Sequence, residues 1–226
     1  METRVDDILR DADLLEKYRL AGVEHIYVGV EAGTQALLNI FKKGTRVEQS
    51  KRAIDLINGV DIVSETSFVL GMPDDTPDTI AGMVDLAIEY NPDMAFFLAI
   101  APWPYAELYP ELKDYVATRD YRKYNLVEPV VKPKNMTLDA LRQELGSAAR
   151  RFFMHKYRNL SQLSDWKQQF MKEVFRILMH NSYLAEQMKG LLAGEGDQQL
   201  PPEMREILSS IHAGGTDSNP GIAPIP

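Results

Sequence analysis

The chain has 226 residues, 45% of them hydrophobic, which is enough for one sizeable core or for a core with a helical appendage. Its net charge of −8 argues against nucleic acid as a partner, because phosphate binding usually needs a basic face. Cysteine is absent, so the chain itself forms no disulfide and no thiolate metal site. It shows no apolar run of membrane-spanning length and no signal peptide, and we therefore expect it in the cytoplasm.

The first half of the chain alternates between helix and strand patterns. Apolar spacing predicts one amphipathic helix over Val5–Ala21. Short apolar or β-branched runs predict strands over His25–Val30, Asp61–Leu70 and Asp93–Ile100. Helices are predicted between them over Thr34–Lys43, Arg46–Asn58 and Pro77–Tyr90. Three strands separated by helices indicate an α/β fold with a small parallel sheet that has two open edges.

The pattern changes after Ile100. Residues 108–131 are rich in tyrosine and charge, and we predict a loop with short helices there. Further helices are predicted over Leu138–Tyr157, Leu163–His180 and Tyr183–Leu192, with a short one over Pro202–His212 and disorder after Ala213. We therefore divide the chain into the sheet region 1–109, a mainly helical region 110–193, and a short helix with a disordered tail over 194–226.

The first candidate for a binding residue is Glu31, which ends the apolar run His25–Val30. Ligands of parallel α/β sheets lie at the carboxyl ends of the strands. Gly29 and Gly33 on either side favour a close approach of the backbone. A surface carboxylate at a strand end explains Glu31 equally well until its context is known.

Two turns after the later strands have the same ambiguity. Gly71–Pro77 and Ala101–Tyr105 each suit either a rigid turn or a backbone rim for a flat ligand, and spacing alone does not decide. The four histidines lie too far apart for a helical metal site, and no metal ligand is predicted. Lys42 and Lys43 are explained by the favourable interaction of cations with a helix C-terminus.

Three segments, in this order, resemble a known family. They are GVEHIYVGVEAGTQALLNIFKKGT at Gly22–Thr45, SFVLGMPDDTPDTI at Ser67–Ile80 and AFFLAIAPWPYAELY at Ala95–Tyr109. They resemble the later strands of radical S-adenosylmethionine (SAM) enzymes of the subclass with an N-terminal cobalamin-binding domain. The resemblance implies the C-terminal part of a partial TIM barrel, with about three strands, followed by a helical C-terminal domain.

The second half narrows the resemblance. The segments Tyr124–Leu141, Arg150–Leu160 and Ser182–Met188 are similar to the C-terminal region of anaerobic magnesium-protoporphyrin IX monomethyl ester cyclases and their relatives, which include enzymes of hopanoid maturation. The implied activity of the parent is the oxygen-independent oxidative closure of the fifth ring of bacteriochlorophyll precursors. One alternative is a related cobalamin-dependent radical SAM enzyme that acts on a lipid (hopanoid) or another small molecule. The second alternative is a non-catalytic α/β binding module.

The family holds a [4Fe–4S] cluster with three cysteines in a CxxxCxxC motif, whereas this chain has none. We therefore expect an excised C-terminal fragment that is inactive alone and holds neither the cluster nor cobalamin of the full-length parent. We also expect a small-molecule substrate, porphyrin or lipid, and a homodimer through the open barrel edge.

The resemblance implies that part of the rim for SAM is present. The implied cofactor-binding residues are Arg4, Glu31, Ser67, Gly71, Ala101 and Trp103. Glu31 can accept hydrogen bonds from the ribose hydroxyls or from the ammonium group of SAM. Trp103, Tyr105 and the tyrosine-rich segment are candidates for the substrate cavity, with core packing as the equal alternative. No residue of the chain is predicted to be catalytic.

Overall fold

The computed structural model describes residues 1–180, and a four-stranded parallel sheet lies at its centre. The strands are β1 (Glu2–Arg4), β2 (His25–Glu31), β3 (Val63–Leu70) and β4 (Met94–Ala99). Their spatial order is β1-β2-β3-β4, so strands that follow each other in the chain are also neighbours in the sheet. This is the order of a (β/α) barrel segment, whereas a doubly wound sheet reverses its order at a switch point. The predicted class, an α/β partial barrel, is confirmed.

The sheet has four strands, one more than the three that the sequence predicted, and the additional strand is β1. The prediction of His25–Val30 as the first strand is wrong, because Glu2–Arg4 precedes it and pairs in parallel with β2. Tyr27 N–H donates to the Met1 carbonyl at 2.8 Å, and the Met1 amino group donates to the His25 carbonyl at 2.8 Å. A three-residue polar edge strand has no apolar alternation by which it can be recognised.

Eight α-helices are assigned within residues 1–180. They are α1 (Val5–Arg10), α2 (Leu15–Leu20), α3 (Gln35–Ile40), α4 (Val47–Gly59), α5 (Pro77–Tyr90), α6 (Tyr109–Leu112), α7 (Leu138–Arg158) and α8 (Asp165–His180). The single helix predicted over Val5–Ala21 is wrong, since Asp11 leaves helical geometry at φ −102° and ψ 25° and a 3₁₀ turn, Ala12–Leu14, follows. Aspartate disfavours a helix interior because its carboxylate competes for nearby hydrogen bonds. Short 3₁₀ turns also occur at Lys113–Tyr115, Tyr121–Lys123 and Leu160–Gln162.

The core lies between one face of the sheet and the helices. Alternate residues of β2, Ile26, Val28 and Val30, are buried there, and α1 and α4 pack over the first two of them. On β4, Phe97 lies 5.7 Å from Phe68 of β3 and 6.2 Å from Phe152 of α7, measured between ring centroids. Helix α7 therefore closes the core over β3 and β4 and leaves the opposite face of the sheet for other contacts.

The outer edge of β4 is partly covered by a later segment. Ala99 N–H donates to the Leu126 carbonyl at 2.8 Å, and Val116 and Val131 form an antiparallel bridge. An edge strand with unpaired backbone groups is a template for further pairing, and this contact removes part of that template. The other edge of the sheet is β1.

The chain divides by its contacts into Met1–Ser164 and Asp165–Pro226. Of the second unit, the structure describes helix α8. The predicted helices Tyr183–Leu192 and Pro202–His212 and the predicted tail, hence the whole region 194–226, lie outside the described residues. The predicted domain limits at residues 109 and 193 stay predictions. Within residues 1–180, no helix has the length and apolar character needed to cross a membrane.

Candidate functional site

One row of residues crosses the sheet on the face opposite the core. The register pairs Arg4 with Gly29, Gly29 with Ser67, and Ser67 with Phe96. Partners in a parallel ladder point to the same side, so the side chains of this row share one face of the sheet. Two of the predicted cofactor-binding residues, Arg4 and Ser67, thus lie on either side of Gly29.

Glu31 joins this row through an irregularity of β2. The register shifts between Gly29 and Glu31, and Glu31 has a φ of 67°, which residues with a side chain seldom adopt. Its Oε1 accepts from Lys43 Nζ at 3.1 Å, and its Oε2 accepts from Ser67 Oγ at 3.4 Å. A Cβ at position 29 would lie 2.6 Å from Glu31 Oε1, so glycine at this position lets the carboxylate lie over the strand.

Tyr27 adds a hydroxyl group beside Ser67 on this face of the sheet, and the sequence analysis missed it. Its hydroxyl donates to Ser67 Oγ at 2.5 Å. Burial raises the pKa of the Tyr27 phenol, so the group stays protonated and remains a donor at neutral pH. The signal was available, because period-2 alternation places Tyr27 on the same face as Gly29 and Glu31.

The sequence analysis also missed Lys43 as a site residue, because the favourable interaction of a cation with a helix C-terminus was sufficient to explain it. Helix α3 ends at Ile40, and Lys43 lies in the turn that follows. Its side chain reaches Glu31, and its carbonyl accepts from Arg4 Nη2 at 2.8 Å. No local pattern reveals these contacts, because they join residues 12 and 39 positions apart.

Gly71 follows β3 in a turn that uses its backbone internally. It has a φ of 89°, and its N–H donates to Asp75 Oδ2 at 2.8 Å, as does the N–H of Met72 at 2.9 Å. A Cβ at Gly71 would lie 2.8 Å from Leu141 Cδ2 on α7. The turn and its packing account for this glycine, and its cofactor role stays a prediction.

Ala101 and Trp103 lie just past β4, with aromatic rings around the tryptophan. Ala101 is buried, and Trp103 packs partly against the same cluster. The Trp103 ring lies 6.1 Å from Tyr105 and 6.2 Å from Tyr121, with an interplanar angle of 19° in both cases. Tyr105 is 85% exposed and Tyr121 is 48% exposed. These three rings, which we call the aromatic stack, therefore present flat apolar surface to solvent.

Ion pairs link the turns at this end of the sheet. Lys42 pairs with Glu107 at 2.5 Å, and Lys134 pairs with Asp74 at 2.6 Å. Water and salt screen exposed pairs of this kind, so they connect the turns but contribute little to stability. Across the described residues, no group of histidine, aspartate and glutamate is arranged to hold a metal ion.

Comparison with known proteins finds one family model and several relatives that are similar to this chain. The family model of the radical SAM superfamily matches residues 2–87. The chain is 42% identical over 156 residues to the anaerobic magnesium-protoporphyrin IX monomethyl ester cyclase of Rubrivivax gelatinosus, an alignment that covers 69% of this chain and 28% of that protein. It is 40% identical over 156 residues to the cyclase of the same name from Cereibacter sphaeroides, covering 69% of this chain and 26% of that protein.

A more distant relative is the bacteriochlorophyllide d C-12(1)-methyltransferase of Chlorobaculum tepidum, which is 21% identical over 131 residues, 58% of this chain and 29% of that protein. The chain thus spans between a quarter and a third of the length of these relatives. The matched residues include the row Arg4–Gly29–Ser67 and the bulged Glu31. Residues 2–87 of the chain are therefore similar to the radical SAM superfamily.

Proposed function

We propose that this chain forms part of the SAM-binding edge of a radical SAM enzyme, and that the full-length enzyme is an oxygen-independent oxidative cyclase of magnesium-protoporphyrin IX monomethyl ester. The two cyclases at 42 and 40% identity support the reaction class. One observation carries the site: the register places Arg4 and Ser67 on either side of Gly29, and the bulge lets the Glu31 carboxylate lie over this glycine.

These residues fit a polar nucleoside ligand. Glu31 offers two acceptor oxygens at the carboxyl end of β2, and the absence of a Cβ at Gly29 gives its carboxylate room to lie over the strand. An ionised carboxylate accepts only, so it suits the ribose hydroxyls or the ammonium group of SAM. The contribution of this chain is to bind and orient the ligand.

The same residues do not fit an iron–sulfur cluster. Clusters are held by cysteine thiolates, and the sequence has no cysteine. We therefore derive no chemical step from this chain and assign it no catalytic residue. We propose that the cluster and cobalamin are held by other parts of a longer protein, and that this chain alone is inactive.

Isothermal titration of the chain with SAM tests the proposal. We expect wild-type protein to bind and Glu31→Gln to bind at least tenfold more weakly, because the charged acceptor is lost and one such hydrogen bond contributes about 1.5–3 kcal/mol. Glu107→Gln is the matched control, since Glu107 is also a carboxylate paired with a lysine at this end of the sheet, but its side chain is 77% exposed. Equal loss in both variants, or no binding by wild type, would contradict the proposed site.

For the substrate we propose a tetrapyrrole that lies against the aromatic stack, Trp103, Tyr105 and Tyr121. Offset stacking on aromatic rings favours a flat conjugated ligand over the non-aromatic surface of a lipid. The named substrates of the two cyclases and of the methyltransferase support this choice over a hopanoid. We also propose that Ala101 and Trp103 contribute to the binding of SAM, as the resemblance implies.

Quenching of tryptophan fluorescence by magnesium-protoporphyrin IX monomethyl ester tests the stack. We expect quenching to weaken in Tyr105→Ala, while Leu20→Ala, which removes a similarly exposed apolar side chain from helix α2, leaves it unchanged. A hopanoid precursor is titrated in parallel. Competition by the hopanoid, or equal effects of the two substitutions, would reject the tetrapyrrole.

We further propose homodimerisation through the open edge at β1. This strand ends the sheet, whereas Leu126 already covers part of the edge at β4. Size-exclusion chromatography with light scattering should give twice the mass of one chain. A monomer over the accessible concentration range would reject the dimer.

A further inference from the structure

Residues 119–123 carry a local excess of positive charge at the aromatic stack. These five residues include three cations and one carboxylate, whereas the whole chain has a net charge of −8. Tyr121, one ring of the aromatic stack, lies among them in the sequence. An excess of cations on an otherwise acidic chain favours an anionic ligand at that place.

The cations of this segment differ in their partners. The Arg122 guanidinium donates to both carboxylate oxygens of Asp120, at 2.8 Å each. These hydrogen bonds lower the pKa of Asp120 to about 2, and the charge of Lys123 lowers it as well. Arg119 is exposed and forms no ion pair with a carboxylate of residues 1–180. Its guanidinium is therefore available to a ligand.

The position of Arg119 is set by Tyr124, which packs against the aromatic stack. Tyr124 is 4% exposed, and its ring centroid lies 5.3 Å from Trp103 and 5.2 Å from Tyr121. Its hydroxyl donates to the Thr118 carbonyl at 3.0 Å, and Arg119 is the next residue. Burial raises the pKa of the Tyr124 phenol and the charge of Arg119 opposes that shift, so the guanidinium lies close enough to act on this hydroxyl.

A guanidinium beside a flat apolar surface fits a planar ring that carries a carboxylate. The proposed substrate has this form, because protoporphyrin IX has two propionate side chains and its monomethyl ester keeps one of them as a free carboxylate. A guanidinium donates two parallel hydrogen bonds to a carboxylate and is attracted by its charge. A methyl ester has no charge, so esterification of the second propionate removes most of this attraction.

We propose that Arg119 binds the free propionate carboxylate of a tetrapyrrole that lies on the aromatic stack, so that the site prefers the monomethyl ester to the dimethyl ester. This inference rests on the proposed function and deepens it, because it names the residue that distinguishes the esterification state of the substrate. It assigns Arg119 to binding and to no chemical step.

Quenching of tryptophan fluorescence by magnesium-protoporphyrin IX monomethyl ester and by the dimethyl ester gives the test. The chain has two tryptophans, and a Trp166→Phe background leaves Trp103 to report on the aromatic stack. We expect the monomethyl ester to bind about fivefold more tightly, equivalent to about 1 kcal/mol, which is the upper range for an exposed ion pair. The preference should weaken as the salt concentration rises. Equal dissociation constants for the two esters would overturn the inference.

Variants separate carboxylate binding from folding. In Arg119→Gln we expect the dissociation constant of the monomethyl ester to rise about fivefold, to that of the dimethyl ester, whose own value stays unchanged. Arg119→Lys keeps the charge but not the paired donors, and should retain part of the preference. Arg52→Gln, which removes the same charge from an exposed position on helix α4, is the matched control and should keep the full preference.

The outcomes distinguish this inference from the proposed function. If Arg119→Gln keeps the preference for the monomethyl ester, or weakens both esters alike, the inference fails while the tetrapyrrole site stands. If neither ester quenches the fluorescence of Trp103, the proposed tetrapyrrole site fails together with the inference.

Discussion

Replacement of Gly29 by alanine separates the proposed site from the stability of the fold. The added Cβ would lie 2.6 Å from Glu31 Oε1 and 3.1 Å from Lys43 Nζ, and the third neighbour, Glu31 Cδ, is 3.6 Å away. These closest atoms are the far ends of two flexible side chains and not backbone. We expect the Glu31–Lys43 pair to move off the strand while β2 keeps its place.

The expected change in stability is small because two effects oppose each other. Loss of an ion pair near the surface lowers the free energy of unfolding by about 0.2–1 kcal/mol. Alanine in place of glycine within a strand raises it by roughly 0.5–1 kcal/mol. For Gly29→Ala, the unfolding free energy should therefore stay within about 1 kcal/mol of wild type. Affinity for SAM should fall at least tenfold, since the carboxylate leaves its position.

Urea denaturation and titration with SAM measure the two quantities on the same preparation. A loss of more than about 3 kcal/mol would mean that the strand itself cannot accept a Cβ, as in an overpacked core. Unchanged affinity would mean that the position of Glu31 over Gly29 does not matter for binding. Either result would refute the reasoning.

Two further changes test the surrounding structure. Gly82 lies in helix α5, and a Cβ added there would meet no neighbouring atom within 4 Å. Gly82→Ala should therefore raise the unfolding free energy, measured by urea denaturation, by about 0.5–1 kcal/mol and leave SAM affinity unchanged. A loss of stability would contradict this expectation. Burial and the charges of Lys156 and Arg158 lower the pKa of His155 from its usual 6.5, so the unfolded chain binds its proton more readily. The stability linked to neutral His155 is fully present above pH 6.5 and is lost as the pH falls through the pKa of His155 in the folded chain. His155→Gln should therefore make the unfolding free energy depend less on pH between about pH 7.5 and 5. An unchanged pH slope in that variant would show that His155 is not responsible.

Features whose partners are close in the chain were predictable from sequence. Threonine is a preferred residue at a helix N-cap, and the side chains of Thr34, Thr76 and Thr137 each accept from the N–H three residues later, at 3.3, 3.2 and 3.1 Å. The bounds of α5, Pro77–Tyr90, agree with the prediction residue for residue, because the cap and Pro77 begin the helix and Asn91, in left-handed geometry, ends it. Strands β2, β3 and β4 were also predictable, because a parallel strand that is buried on one or both faces is a short apolar run in the sequence.

The sequence analysis missed two parts of the fold, one that depends on pairing between strands and one where a side chain interrupts a helix. β1 has no apolar pattern and exists because β2 offers it a partner. Asp11 breaks a helix whose apolar spacing continues through it. Both outcomes depend on contacts that a periodicity cannot show.

For the candidate site, the sequence by itself determined that Glu31 ends a strand, that glycine precedes it by two positions, and that the order of motifs resembles one family. Only the tertiary structure decided that Arg4, Gly29 and Ser67 form one row and that Lys43 holds one oxygen of Glu31. Alternation along a strand assigns a residue to a face, whereas its neighbours on that face follow from the register between strands, which the packing of the whole sheet sets.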